Sequence, residues 1–249
     1  MKKREHDFYE KTKNWNFDEF KIEEDYLTNW DMYELLRNVT NENSKVLDLG
    51  TGGGEKVLSC FPDYLKEIVA TDFSFEMIKT ADENLKKSGR KNITFKVMDN
   101  LNMDLEKNYF DVVVARNTVI NPKQIYDVLK PGGYLIISGV DKLDCWELKR
   151  LFKRGQGYND IKPISLIDYE NVLDAGFNDV ELVPIHCREY FKDYEGFYKF
   201  LLKVPIINDF SDVENDSFDF NVLDEYVSNN TYDKGIRLIR RYYGIIARK

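Results

Sequence analysis

The sequence predicts an α/β fold built on a mostly parallel sheet with helices on both faces, and three observations carry that prediction. From Lys45 onward, short apolar runs alternate with longer amphipathic ones, the rhythm of strand–helix–strand units. Val112-Val-Val114 is apolar on consecutive residues, as a strand covered on both faces should be. Glycines punctuate the runs, at Gly50, Gly89 and Gly132-Gly133, where the chain must turn.

The elements follow in order. Residues 1–40 are expected to form an N-terminal helical cap rich in aromatics: Phe8, Tyr9, Trp15, Phe17, Phe20, Tyr26, Trp30 and Tyr33. Leu27, Trp30 and Met32 to Leu36 would line one helix face, and Asn41-Glu-Asn-Ser44 breaks the pattern. Lys45–Leu49 is a strand, and Lys56–Phe61 a helix stopped by Pro62. Ile68–Thr71 is the second strand. Ser74 is the N-cap of a helix with Ile78, Ala81 and Leu85 on one face, closed near Gly89. Ile93–Val97 and Phe110–Ala115 are the third and fourth strands. Gln124–Leu129 is a short helix, and the turn Lys130-Pro-Gly-Gly133 feeds the strand Tyr134–Ser138. Beyond it come a helix at Leu166–Ala175, a strand at Val180–Pro184, a helix at Tyr190–Leu202 and a last strand at Arg237–Ala247. The connection before that strand is too long for an ordinary loop, so residues 186–233 are expected to form a substrate-side insertion. The whole of 1–249 is expected to be one domain, with 45–140 as its cofactor-binding core.

Composition narrows the function. The formal net charge of -8 disfavours nonspecific binding to phosphate backbones, which speaks against a nucleic-acid partner. Charge is uneven: Asp209, Asp212, Glu214, Asp216, Asp219, Asp224, Glu225 and Asp233 fall in a stretch without Lys or Arg, while Lys234 to Lys249 is basic. A solvated acidic loop and an acidic lid for a cationic substrate both fit this pattern. No apolar run is long enough to span a membrane. Cys60, Cys145 and Cys187 form no CxxC pair, which fits a reducing, cytoplasmic setting.

The strongest motif is Val46-Leu-Asp-Leu-Gly-Thr-Gly-Gly-Gly-Glu55. A buried strand enters a glycine turn and then a helix. Gly50, Gly52 and Gly54 permit positive φ and close ligand approach. Backbone N–H groups at the helix start can bind polar groups. Asp72 ends the second strand, where a carboxylate can accept two ribose hydroxyls. Asp99 follows the third strand, where a turn residue also fits.

Together, Asp48-x-Gly50-x-Gly52-x-Gly54, Asp72, Asp99 and Leu129-Lys-Pro-Gly-Gly-Tyr-Leu135 resemble the signature of class I S-adenosylmethionine-dependent methyltransferases. That resemblance implies a Rossmann-like three-layer sandwich, with a seven-stranded, mostly parallel sheet and an antiparallel last strand. It implies S-adenosyl-L-methionine as cofactor and S-adenosyl-L-homocysteine as product. Asp48 and the Gly50 carbonyl would attract the cofactor's ammonium, and Asp72 would hold the ribose. Phe73 and Met98 would pack on the adenine, and Asp99 would meet its amino group. Thr51, Gly52, Gly54, Met77, Asn100 and Arg116 would complete the cofactor site.

The acceptor is less legible. His186, Tyr190 and Tyr194 are the candidates for catalysis. His186 also fits as a plain strand histidine. Tyr190, Tyr194 and Tyr198 share an i, i+4, i+8 spacing that suits an acceptor wall or a core-facing helix. The position after the fourth strand is Arg116-Asn117 rather than an acid, so no metal is expected. The charge and the aromatic segments favour a small-molecule acceptor. An RNA or protein acceptor is the alternative, with Lys149-Arg-Leu-Phe-Lys-Arg154 and Lys234–Lys249 as basic segments for phosphate. A nicotinamide-dependent oxidoreductase is a weaker one, because neither Tyr9-Glu-Lys-Thr-Lys13 nor Tyr194 to Lys199 lies suitably in the fold order. Oligomeric state leaves no mark in the sequence.

Overall fold

The computed structural model describes residues 18–207 and 219–249. His6, the aromatics from Phe8 to Phe17 and the acids from Asp209 to Asp216 lie outside the described residues.

The β–α alternation from Lys45 produces the predicted sandwich. Strands β2 (Lys45–Leu49), β3 (Glu67–Asp72), β4 (Ile93–Val97), β5 (Phe110–Arg116) and β6 (Leu129–Val140) pair in parallel in the order β6-β5-β2-β3-β4. Helices α1 (Met32–Val39), α2 (Glu55–Cys60) and α3 (Phe75–Ser88) cover one face, burying Leu36, Val57, Ile78 and Ala81 against Val46, Ile68, Val112 and Ile136. Helices α4 (Pro122–Val128) and α6 (Ile164–Asp174) cover the other, with Ile125, Val128 and Val172 against Leu47, Val113, Leu135 and Ile245. Consecutive strand residues therefore point into two separate cores, which explains the unbroken apolar runs.

The strand order reverses between β2 and β5: β3 and β4 lie on one side of β2, β5 and β6 on the other. Open α/β sheets bind ligands at such a switch point, beyond the carboxyl ends of the strands.

Two long strands extend the sheet. β7 (Asn178–Phe191) and β9 (Gly235–Arg248) pair antiparallel, and β9 pairs antiparallel with β6. Val140, the last residue of β6, sits opposite Tyr242, so residues 235–241 and their β7 partners rise past the carboxyl edge as a ribbon. Helices α5 (Trp146–Phe152), α7 (Tyr194–Lys203) and α8 (Phe220–Asn230) pack on this ribbon around a third core of Leu148, Phe191, Phe197, Leu201, Leu223 and Leu238. The molecule thus carries a cap with its own apolar interior.

Several expectations need correction. Among the described residues the sheet has nine strands rather than seven. The additions are β1 (Glu23–Tyr26), antiparallel to β7, and the two-residue β8 (Thr231–Tyr232), paired with β9. The described part of the N-terminal cap is therefore not one helix. Glu23–Tyr26 covers the exposed edge of β7, which would otherwise offer unpaired backbone groups. Leu27 and Trp30 precede α1, which Asp31 caps by accepting the Tyr33 N–H at 2.7 Å. Residues 186–191 are strand, not insertion. Tyr190 also leaves the predicted helix: it belongs to β7, and α7 starts at Tyr194 behind the N-cap Asp193.

Candidate functional site

The glycine motif folds as a tight turn because its φ angles demand it. Gly50, Gly52 and Gly54 have φ of +76°, +58° and +77°, a region that L side chains rarely enter. Space is short as well. A Cβ on Gly50 would lie 2.6 Å from Thr118 Cβ, and one on Gly54 would lie 2.7 Å from Phe95 Cζ. The turn after β2 is thereby pressed against the segment after β5, across the switch point.

The amides of this turn are committed inside the protein. Gly50 and Thr51 N–H both donate to the Thr71 carbonyl at 2.9 Å, and Gly54 N–H donates to the Thr51 carbonyl at 3.2 Å. Gly52 N–H donates to Asp72 Oδ2 at 2.9 Å. The second Asp72 oxygen accepts the Ser74 N–H at 3.0 Å. These four donors are thus used to fix the loop and to aim the Asp72 carboxylate.

What remains is a site rich in acceptors. Asp48 is buried at 6% exposure, and burial pushes its carboxyl up to about 6, against the pull of Thr51 and Arg116 and with some help from Asp72. The Thr51 hydroxyl is buried and has no hydrogen-bond partner of good geometry, although it lies close enough to favour the Asp48 anion. Tyr33 on α1 completes the corner. Burial raises its pKa, Arg116 opposes the rise and Asp48 adds to it, which puts all three groups in one electrostatic neighbourhood.

Other expected residues have mixed placements. Asn100 is buried, taking the Thr71 hydroxyl at 3.3 Å and donating to Thr118 Oγ1 at 3.0 Å, so it braces the two walls of the switch point. Phe73 and Met98 are half-buried, and Met77 is buried in the face of α3. Asp99 is exposed and accepts from Leu101 N–H and Asn102 Nδ2 at 2.9 and 2.8 Å. It forms the turn that its position allowed, and those bonds hold its carboxyl below the usual range.

The catalytic candidates do not converge. His186 lies within β7, and its backbone N–H donates to Thr28 Oγ1 at 3.2 Å. Tyr190 faces Lys234, whose ammonium sits 5.5 Å from the ring centroid. Tyr194 packs on the cap core, and burial together with Asp224 pushes its hydroxyl up to about 12. The wall of three tyrosines on one helix is not formed. The basic segment also changes meaning, since Lys149 is 2% exposed and unavailable to phosphate. Among the described residues no group of three His, Cys, Asp or Glu side chains is placed to hold a metal. No helix among them is long and apolar enough to cross a membrane.

Thr118 and Tyr33 were not singled out in the sequence as neighbours of the glycine turn. Thr118 carried a signal, standing two residues beyond the fourth strand. Tyr33 comes into place only through packing.

The family described as "Methyltransferase domain" matches residues 40–173. A ribosomal protein L11 methyltransferase from Listeria monocytogenes is 32% identical over 109 residues, which cover 42% of this chain and 35% of that protein. The chain thus spans about a third of the curated relatives it first matches. A phosphoethanolamine N-methyltransferase from Plasmodium falciparum is 25% identical over 190 residues, covering 68% of this chain and 70% of that one. Among solved structures, a SAM-dependent methyltransferase from Aquifex aeolicus superposes with a TM-score of 0.52 at 16% identity, covering 88% of this chain and 89% of that one.

Proposed function

The chain belongs to the methyltransferase-domain family, and from that premise we propose that it transfers a methyl group from S-adenosylmethionine to a small molecule enclosed beneath the cap. The bound sulfonium supplies a methyl group already activated for transfer. The protein must bind it, exclude water and align the acceptor with reacting atoms roughly 3–3.5 Å apart.

The residues of the switch point fit that cofactor by the chemistry of their donors and acceptors. Of the loop amides, Gly50, Thr51, Gly52 and Gly54 are already bonded, which leaves fewer of the donors that a dinucleotide's pyrophosphate takes. A buried carboxylate and an unpartnered hydroxyl suit an ammonium instead. We assign Asp48 and Thr51 to the amino group, with the Gly50 carbonyl beside them. Arg116 is assigned to the carboxylate. Asp72 is assigned to the ribose hydroxyls, since a carboxylate offers about four acceptor sites. Phe73, Met98 and Asn100 line the path of the base.

The observation that carries the small-molecule reading is the cap. Its separate core stands over the carboxyl edge of the sheet, a construction that encloses a compact ligand. The match to the phosphoethanolamine N-methyltransferase over 70% of its length supports this. A protein acceptor is the second reading, favoured by the higher identity to the ribosomal protein L11 methyltransferase. The three free cysteines fit a cytoplasmic setting.

The test has two stages. Calorimetric titration of S-adenosylhomocysteine should give micromolar affinity that Asp72→Ala abolishes; no binding to folded protein would refute the cofactor assignments. Release of S-adenosylhomocysteine is then followed with a small-metabolite extract and with ribosomal protein. Turnover on protein alone would refute the small-molecule proposal.

A further inference from the structure

A cavity of about 200 Å³ opens where the cap meets the carboxyl end of β6. Its lining draws Val140 and Asp141 from the end of that strand, Lys149 from α5, Ile164 from α6 and Ile206 from beyond α7. The cavity stands two strands from β2, about 10 Å at the usual strand spacing. It therefore neighbours the glycine turn without being part of it.

Opposite charges share this cavity without touching. Lys149 is 2% exposed, and its Nζ donates to Lys142 O at 2.7 Å and Gln156 O at 2.9 Å. A lysine ordinarily carries its proton at neutral pH, and an ammonium has three N–H donors. Two are used and the third has no partner. Gly155, at φ +131°, permits the enclosure: a Cβ there would lie 2.8 Å from Lys149 Cγ. Asp141 is tethered separately. One oxygen accepts the Leu143 N–H at 3.1 Å and the other accepts the Ser165 hydroxyl, and a carboxylate with about four acceptor sites has capacity left. Among the described residues no ion pair joins Lys149 to an acid. Asp144 is engaged elsewhere, accepting from Arg240 Nε and Nη2 at 2.9 and 3.2 Å and from the Arg241 N–H at 2.8 Å. Lys142 and the exposed Asp160 are the other charged groups of the lining, and the Lys142 ammonium donates to the Asp160 carbonyl. Burial disfavours the Lys149 charge, while Asp144, Cys145 and Asp141 favour it and Arg240 opposes it.

A free cation and anion in so small a space attract strongly, yet here other bonds hold them apart. A ligand with one charge of each sign satisfies both and leaves the local balance of charge unaltered. A plain amine leaves the third Lys149 donor unpaired, and a plain acid stands against Asp141 with no compensation.

We propose that this cavity anchors the acceptor by a zwitterionic head, the ammonium and carboxylate of a small amino acid, with the carboxylate on Lys149 and the ammonium on Asp141. The inference rests on the small-molecule reading and adds the substrate class and two specificity-determining residues. The head is an anchor. The atom that takes the methyl group lies on the remainder of the molecule, which reaches from the cavity toward the glycine turn.

Saturation-transfer NMR and calorimetry on protein loaded with S-adenosylhomocysteine compare glycine, β-alanine and 4-aminobutyrate with propylamine and propionate. At least one zwitterion should bind about tenfold or more tightly than both singly charged compounds. Equal binding of the amine or of the acid overturns the two-charge site, as does failure of every zwitterion to bind. Lys149→Met and Asp141→Asn should each weaken the bound zwitterion about tenfold or more and leave S-adenosylhomocysteine affinity within about twofold. Unchanged zwitterion affinity in either variant overturns the assignment. Should Lys149→Met fail to fold, Asp141→Asn at its half-buried position carries the test. The bound zwitterion should also compete with turnover of the small-metabolite extract; binding without competition overturns its place in the acceptor site. Turnover on ribosomal protein alone would instead sink the small-molecule reading, and loss of S-adenosylhomocysteine binding in the unaltered protein the methyltransferase premise.

Discussion

Asp48 holds a charge where the fold alone would prefer none. Its carboxyl stands at about 6 in the folded chain against an ordinary 3.8, a rise of roughly two pH units, or about 3 kcal/mol. The sign is set by linkage. A folded pKa above the unfolded one favours folding fully below pH 3.8, and that contribution is lost as pH rises through 6. At neutral pH the ionised Asp48 therefore opposes folding by up to about 3 kcal/mol. Asp48→Asn keeps the shape and removes the charge, so the empty protein should become more stable at pH 7.5 by about 1–3 kcal/mol. The same variant should bind S-adenosylhomocysteine at least tenfold more weakly, because the ammonium loses its counter-charge. Urea unfolding of both chains at pH 7.5 and pH 4 measures the first effect, and the stability gap should close at the lower pH. A variant less stable than the parent at pH 7.5, or a gap that does not shrink with acid, would refute the reasoning.

Other predictions follow from single side chains. Thr51→Val should change the stability of the empty protein by less than about 1 kcal/mol, since its hydroxyl has no partner of good hydrogen-bond geometry there; cofactor affinity should fall several-fold by calorimetry. Gly54→Ala forces a Cβ onto Phe95 at positive φ and should cost about 1–3 kcal/mol in urea unfolding. Arg240→Met strands Asp144 and Glu189, which are buried together and bonded to one guanidinium at 2.9–3.2 Å. That loss should cost about 3–5 kcal/mol, and circular dichroism melts would show a smaller effect if the carboxylates found other donors.

The sheet and the glycine turn were legible because each rests on local pattern. Consecutive valines mark strands covered twice, and a glycine that follows a strand and precedes a helix marks the loop. The cap was harder to read for a definite reason. Tyr190, Tyr194 and Tyr198 have a spacing that suits one helix, yet a strand supplies the first and a helix the other two. Asp193 between them was the available clue, as an N-cap must precede its helix. Glu23–Tyr26 reads Glu-Glu-Asp-Tyr and three of its four residues are exposed, so no alternation betrays a strand. Asp99 accepts from its own neighbours on both oxygens, as Asp72 does, so position and local bonding together do not separate a turn residue from a ligand contact. Lys149 reads in the sequence as one of a basic run, and only packing buries it with its Nζ on two loop carbonyls.

The ribbon of β7 and β9 has a mechanical consequence. Each strand runs 14 residues without a break, roughly 45 Å at 3.3 Å per residue, with one part in the central sheet and the remainder in the cap. No joint separates the two, so the cap cannot swing as a rigid door without shearing a hydrogen-bonded ladder. Traffic of ligands must then depend on the connecting loops, and a protein engineer seeking a new acceptor would do better to redesign the cap helices than to loosen a hinge.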